Sequence, residues 1–161
     1  MHAQGFKRGR GFTLIELLVV MAIGAVLLAV ALPSLQPQVA ASHAKSTAAK
    51  LADALRFARQ YALNTSSLVT FTPNGCGYTV STTAGTQLLS AASGGASGVS
   101  CQALSSTVSF LGDGSVALCT SGASGLSCSP ASANAKAIVQ GGGSTWTVLL
   151  SPGGVVSTNA S

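Results

Sequence analysis

The side chains that could carry chemistry are few and lie far apart along the chain. The carboxylates are Glu16, Asp53 and Asp113, and the histidines are His2 and His43. No pair among them is placed for acid–base work, and the chain has no nucleophile elbow, phosphate-binding loop or dinucleotide fingerprint. The sequence therefore predicts no catalytic residue, no cofactor and no metal site, and we expect a protein that is not an enzyme.

The cysteines form the second reactive group. Cys76, Cys101, Cys119 and Cys128 lie in a region rich in Gly and Ser, and none shows the C-x-x-C spacing of a zinc or redox site. An even number in a domain with a small core favours disulfides in an oxidising compartment, with four buried free thiols as the alternative. Of the three possible pairings we favour Cys119–Cys128, which closes a short loop, and Cys76–Cys101.

Glu16 is the one charge in an apolar run of 21 residues, 12–32. About 20 apolar residues in a helix span a bilayer. Lys7, Arg8 and Arg10 precede the run, so the N-terminus is expected to remain cytoplasmic.

The net charge of the chain is +5, but without Lys7, Arg8 and Arg10 the eight basic residues fall to five, against three acidic ones. The remaining chain therefore has little electrostatic attraction for nucleic acid.

Three interpretations of this run compete: a cleaved signal peptide, for which residues 29–31 (AVA) offer a site, a plain signal anchor, and a prepilin signal. A carboxylate inside a membrane span costs about 2.5–3.5 kcal/mol on insertion scales. A signal peptide or a simple anchor has no use for such a carboxylate, so Glu16 indicates a functional site inside the membrane.

Residues 8–18, RGRGFTLIELL, resemble the processing site of type IV prepilins and type II secretion pseudopilins. The resemblance implies that a prepilin peptidase cleaves after Gly11 and that Phe12 is then N-methylated. It also implies that Glu16 is retained for assembly with other subunits, and that Pro33 kinks the helix. Pairing of Glu16 with the amine of a neighbouring subunit would offset the burial cost of both charges.

The domain organisation follows from this resemblance and from the residue pattern. Residues 1–11 are expected to be a cleaved leader, residues 12–64 a helix that spans the membrane over 12–32, and residues 65–161 a β-rich head. Leu51, Leu55, Ala58 and Ala62 form an apolar stripe at helical spacing, which should carry the head. The expected fold is α+β, a long helix packed on a small antiparallel sheet head. Strands are predicted at 67–72, 77–82, 107–111, 115–119, 136–140, 144–151 and 155–156, with loops at 91–100 and 120–135.

Three later segments resemble the GspH/FimT family of minor pilins and pseudopilins: residues 51–62, 108–114 and 146–156. DNA-uptake members of that family carry a Gly-Arg motif near the C-terminus, where this chain reads Gly153-Gly154-Val155. No arginine follows Arg59, and Lys136 is the only base in the head, which weakens a DNA-binding role. The basic residues of the helix are interpreted as a solvated face, with a nucleic-acid surface as the alternative: Lys45, Lys50, Arg56 and Arg59.

The sequence thus predicts a structural subunit of a type IV pilus-like filament, acting in pilus biogenesis or type II protein secretion. The alternative is a minor pilin that binds DNA for uptake. The expected location is the inner membrane, with one span, a cytoplasmic N-terminus and a periplasmic head, followed by assembly into a periplasmic or surface filament. The expected partners are the prepilin peptidase and other subunits, and nucleic acid is not expected.

Overall fold

The computed structural model describes residues 12–102, 104, 106–122 and 125–160, and for residues 30–34, 121, 122, 125 and 126 it describes the backbone alone. Contacts divide the chain into two units, with the boundary between Gln36 and Pro37. Helix α1 (Leu14–Thr65) runs through both units. Within the described residues, no helix combines the length and the apolarity needed to cross a membrane.

In the second unit, α1 buries a stripe of small apolar side chains. Leu55 and Leu51 are the largest members, and alanines supply the rest of the stripe. This i, i+3, i+4 spacing places the side chains on one face of the helix, and the alanines let the strands approach its backbone closely. The buried alanines are Ala40, Ala44, Ala48, Ala52, Ala54, Ala58 and Ala62.

The remainder of the second unit is built from strands. In chain order they are β1 (Val69–Asn74), β2 (Gly77–Thr82), β3 (Gln87–Ala91), β4 (Val99–Gln102), β5 (Thr107–Phe110), β6 (Val116–Gly122), β7 (Gly125–Pro130), β8 (Ala135–Gly141), β9 (Ser144–Leu150) and β10 (Val156–Ala160). Two sheets result, one in the order β3-β2-β1-β5-β6-β7 and the other in the order β10-β9-β8-β4. Every pairing is antiparallel, so the predicted α+β class with antiparallel sheets is confirmed.

Both sheets share one core with α1. Phe71 and Phe110 of the first sheet and Leu150 of the second are completely or almost completely buried, in the same cluster as Leu55 of the helix. Burial alternates along β1 and β8, as expected when one face of a strand covers a core. The apolar stripe therefore holds both sheets on a single helix.

Three strands, β3, β4 and β7, lie wholly outside the predicted set. β3 lies before and at the start of the predicted loop 91–100, β4 begins at its end, and β7 lies inside the predicted loop 120–135. β3 (QLLSA) and β4 (VSCQ) are short, and β7 (GLSCSP) begins with Gly and ends with Pro, which are depleted in strands, so the local sequence does not favour a strand in any of the three. They are strands because hydrogen bonding to β2, β8 and β6 outweighs that preference.

The helix ends one residue beyond the predicted position, and a serine caps it. Ser66 adopts φ 48°, and it is the one non-glycine residue in the described ranges with a positive φ. The Ser67 N–H donates to the Ala62 carbonyl at 3.3 Å, the pattern of a Schellman cap. Residue Asn64, at which the predicted helix ended, remains helical.

Two disulfides are present, Cys76–Cys101 and Cys119–Cys128, which are the pairs favoured from the sequence. Cys76 lies in the β1–β2 turn of one sheet and Cys101 in β4 of the other, so we name this bond the inter-sheet disulfide. Cys119 and Cys128 are direct partners on β6 and β7, so we name theirs the hairpin disulfide.

Candidate functional site

The first turn of α1 contains Glu16, the residue predicted to act in assembly. Thr13 precedes the helix, and its Oγ1 accepts a hydrogen bond from the Glu16 N–H at 3.3 Å. Thr13-Leu14-Ile15-Glu16 also has the T-x-x-E order of a capping box, in which the threonine and the glutamate satisfy N–H groups at the start of a helix. Thr13 therefore fixes where the helix begins and places Glu16 in its first turn.

The Glu16 side chain is exposed in the isolated chain. No ion pair of Glu16 is formed with any residue that the structure describes. The unsatisfied N–H groups of the first turn carry a partial positive charge, which favours a carboxylate there. Glu16 thus has a local role at the start of the helix.

The surface around Glu16 is apolar on all sides. Phe12 is 85% exposed, Leu14 82% and Ile15 65%. The exposed apolar side chains continue through Leu28, which is 62% exposed. A contiguous patch of this extent on a monomer marks a protein or membrane interaction surface. The described side chains of the first unit therefore form a surface suited to contact with a protein or a membrane.

Two residues assigned from the sequence lie wholly or partly outside the described part of the chain. Gly11, the residue before the predicted cleavage site, lies outside the described residues. Pro33 lies within α1, but its side chain is outside the described part. Cleavage after Gly11 and the kink at Pro33 both stay predictions.

Arg59 connects the end of α1 to the turns of both sheets. Its Nη2 donates to the Gly153 carbonyl at 3.1 Å. A Cβ on Gly154 would lie 2.5 Å from the Arg59 Nε, and one on Gly114 would lie 3.7 Å from it. Both glycines have a positive φ and no side chain, so the guanidinium packs directly against the two turns. Arg59 is half-buried, so the expectation of a solvated residue was wrong here.

Arg56, one turn earlier, is held from two sides. Its Nη1 lies 2.9 Å from the Asp53 carboxylate, and its Nη2 donates to the Val156 carbonyl at 3.3 Å. The Arg56 side chain is 52% exposed, so the ion pair itself contributes little to stability. The two bonds instead hold the guanidinium beside the start of β10.

The other bases make different contacts from these arginines. Lys45 lies over the Trp146 ring, 5.7 Å from its centroid, in the geometry of a cation–π contact. Lys50 is exposed on α1, and Lys136 lines a separate depression beside Leu118. The bases of the helix therefore have different surroundings.

Two acidic groups of the second unit have shifted pKa values. Burial, assisted by the nearby charge of Asp53, raises the pKa of Tyr78 above its usual value of 10.0. Hydrogen bonds from the Ser115 hydroxyl and N–H, at 2.6 and 2.8 Å, lower the pKa of Asp113. Asp113 thus stabilises the β5–β6 turn. Within the described ranges, no group of His, Cys, Asp and Glu is arranged to hold a metal ion.

The sequence did not indicate the contacts made by Arg59 or the groove beside Arg56. Both depend on the β9–β10 turn, roughly 90 to 100 residues away, and the contacts of Arg59 depend also on the β5–β6 turn. The available signals were Gly114 and Gly154, because a glycine in a turn often marks a close backbone approach. Nothing in the sequence specified which side chain they approach.

Comparison with known proteins gives one match. Residues 6–32 match the family model of the prokaryotic N-terminal methylation motif. No curated protein and no solved structure matches the chain significantly. The matched motif, which contains Gly11, Phe12 and Glu16, supports a type IV pilin-like protein: a structural subunit of a pilus or pseudopilus that a prepilin peptidase processes and that assembles with other pilins.

Proposed function

We propose that this chain is a GspH/FimT-type minor subunit of a type IV pilus-like filament, acting in pilus biogenesis or type II protein secretion. The observation that carries the proposal is the methylation motif over residues 6–32. The GspH/FimT assignment is supported by the resemblance of residues 51–62, 108–114 and 146–156. A helix that carries two antiparallel sheets agrees with it.

In this proposal residues 1–11 are a leader and residues 12–32 anchor the chain in the inner membrane, with the head in the periplasm. The apolar run continues to Leu32, and the side chains of residues 30–32 lie outside the described part. Support comes from the length of the run, from the three bases before it and from its exposed apolar side chains.

Assembly then depends on two charges. Cleavage leaves an amine on Phe12, four residues from Glu16. Each charge alone would be costly in lipid, and pairing between neighbouring subunits offsets both costs. The apolar side chains around Glu16 pack against neighbouring helices in the filament. The pair sets the axial position of each incoming subunit.

Processing is tested by intact-mass spectrometry of the chain purified from its native host. We expect a chain of 150 residues beginning at Phe12, which is 161 minus the 11 of the leader, and a mass one methyl group above the unmodified chain. A mass corresponding to cleavage after Ala31 would contradict the proposal.

The role of Glu16 is tested with two variants that separate charge from helix capping. Glu16→Gln removes the charge, but Gln can still take the same place in a capping box. Thr13→Ala removes the cap, at a cost of about 1 kcal/mol, and keeps the charge. We expect Glu16→Gln to insert in the membrane normally and to be lost from sheared filaments, whereas Thr13→Ala is still incorporated. The opposite ranking would assign Glu16 to helix capping.

The two systems are separated by deleting the gene in its native host. Loss of surface filaments with intact exoprotein secretion indicates a pilus subunit. Loss of secretion with intact filaments indicates a pseudopilin. Loss of neither would contradict both assignments.

A further inference from the structure

A groove of about 480 Å³ lies between the last turns of α1 and the start of β10. Arg56 and Arg59 line it from the helix, and Val155 and Val156 line it from the β9–β10 hairpin. Leu63, also in its lining, is 42% exposed, and Val155 is 62% exposed. The groove therefore combines apolar side chains with two guanidinium groups and the amides of Gln60 and Asn64, a chemistry that the methylation motif does not account for.

The hairpin side of the groove is an open sheet edge. β10 is the terminal strand of its sheet and pairs only with β9 among the described residues. The Ser151 N–H donates to the Val155 carbonyl, and the next pair is Val156 with Leu150. Antiparallel pairs alternate between bonded and non-bonded, so the backbone groups of Val156 and Thr158 point away from β9.

The contact made by Arg56 agrees with this alternation, because the Val156 carbonyl that it binds is on the outward side. Thr158 has the same orientation two residues further along β10. The open edge has no charged residue, no proline and no bulge of the kind that commonly protects an edge strand. Its backbone is therefore suited to pairing with another chain.

The charges favour a peptide over nucleic acid. Affinity for nucleic acid depends on neutralising many phosphates, and this groove has two arginines, one of them bonded to Asp53. Lys136, the one base of the head beyond them, lines a different depression. One carboxylate flanked by apolar side chains matches the arginines together with Leu63 and Val155.

We propose that this groove binds an extended segment of a partner protein, which adds a strand to the open edge of β10 and places an acidic side chain against Arg56. Backbone hydrogen bonds to the Val156 N–H and to the outward groups of Thr158 supply affinity, while the Val156 carbonyl stays bonded to Arg56. The carboxylate selects the register, because a charged hydrogen bond is about twice as strong as a neutral one. The proposal stands independently of the filament function proposed above.

The test uses the full chain in detergent micelles and a fluorescent peptide with blocked ends, Thr-Val-Glu-Val-Thr, followed by anisotropy. A matched peptide carries Gln in place of Glu. We expect the Glu peptide to bind about tenfold more tightly than the Gln peptide. Arg56→Gln should abolish this difference. Lys50→Gln, the same charge change on the same helix outside the groove, should leave it unchanged.

A second pair of variants tests the strand edge. Thr158→Pro removes one outward N–H without breaking the pairing to β9, whereas Thr158→Val keeps it. We expect Thr158→Pro to weaken peptide binding by more than tenfold and Thr158→Val to bind as the native chain does, with unchanged thermal unfolding in both. Absence of saturable binding at millimolar peptide overturns the proposal. So does binding insensitive to Thr158→Pro, or tight binding of duplex DNA that Arg56→Gln removes.

Discussion

The tight packing of the β8–β9 turn against α1 leads to a prediction about two adjacent glycines. Gly142 and Gly143 form the turn, with φ values of 57° and 81°. A Cβ at Gly142 would lie 1.8 Å from the Pro37 carbonyl oxygen and 2.8 Å from the Ala41 nitrogen. At Gly143 a Cβ would have nothing within 4 Å. An alanine at either position therefore strains the backbone, but only an alanine at position 142 also collides with α1.

The magnitudes follow from these two contributions. A non-glycine residue in the left-handed region costs about 1–2 kcal/mol, which both variants incur. Overpacking that forces the backbone to shift costs about 1–3 kcal/mol more, and only Gly142→Ala incurs it. We therefore expect Gly143→Ala to lower the free energy of unfolding by about 1–2 kcal/mol and Gly142→Ala by about 2–5 kcal/mol.

The assay is urea unfolding of the full chain in detergent, with both disulfides intact, followed by the fluorescence of Trp146. This is the one tryptophan in the chain, and it lies in β9 close to the turn. Equal destabilisation by the two alanines would refute the reasoning, because it would show that the turn does not press on the backbone at Pro37. A larger effect at Gly143 would refute it as well.

Two further predictions concern the disulfides and pH. Replacing both cysteines of the inter-sheet disulfide, Cys76 and Cys101, by alanine should lower the free energy of unfolding by about 3.5 kcal/mol from loop entropy, against about 2.6 kcal/mol for the hairpin disulfide, Cys119 and Cys128. The difference arises because the bonded cysteines are 25 and 9 residues apart in the chain. Urea titration of the two double variants measures the ranking, and the reverse order would contradict it. The pKa of Tyr78 is raised in the folded state, so the folded chain holds the phenol proton more tightly than the unfolded chain does. The stability that this difference contributes is complete below pH 10 and is lost as the pH rises through the folded pKa. Tyr78→Phe should show a smaller loss of stability above pH 10 than the native chain, and parallel curves for the two would show that burial of the phenol does not affect stability.

The helix and most hairpins were predictable because their signals are local. The apolar stripe through Leu51 and Leu55 has the period of a helix, and clusters of Pro, Asn, Asp and Gly mark the turns. β3, β4 and β7 were missed because β3 and β4 are short and β7 contains Gly125 and Pro130, which are poor strand formers. Their strand geometry comes from neighbours that are distant in sequence, which local propensity does not represent.

In the candidate site, too, local features were predictable from the sequence and long-range contacts were not. The methylation motif was visible because its function depends on residues that are adjacent in the chain. The groove was not, because Arg56 meets Val156 across 100 residues. The effect of Gly154 on Arg59 was equally hidden, since turn residues reveal their own backbone conformation but not the side chain packed against them.

The three carboxylates give an independent argument for the role of Glu16. Asp53 is bonded to Arg56, and Asp113 accepts hydrogen bonds from Ser115, so both have partners within the second unit. Glu16 is exposed among apolar side chains, and no ion pair of Glu16 is formed within the described residues. A charge on such a surface raises the free energy of any state that buries the surface, unless an opposite charge is buried with it. The apolar surface favours burial, so burial and Glu16 are compatible when the buried state contains a second molecule that carries a cation, and the amine that the proposed cleavage would leave on Phe12 of another subunit would have that property.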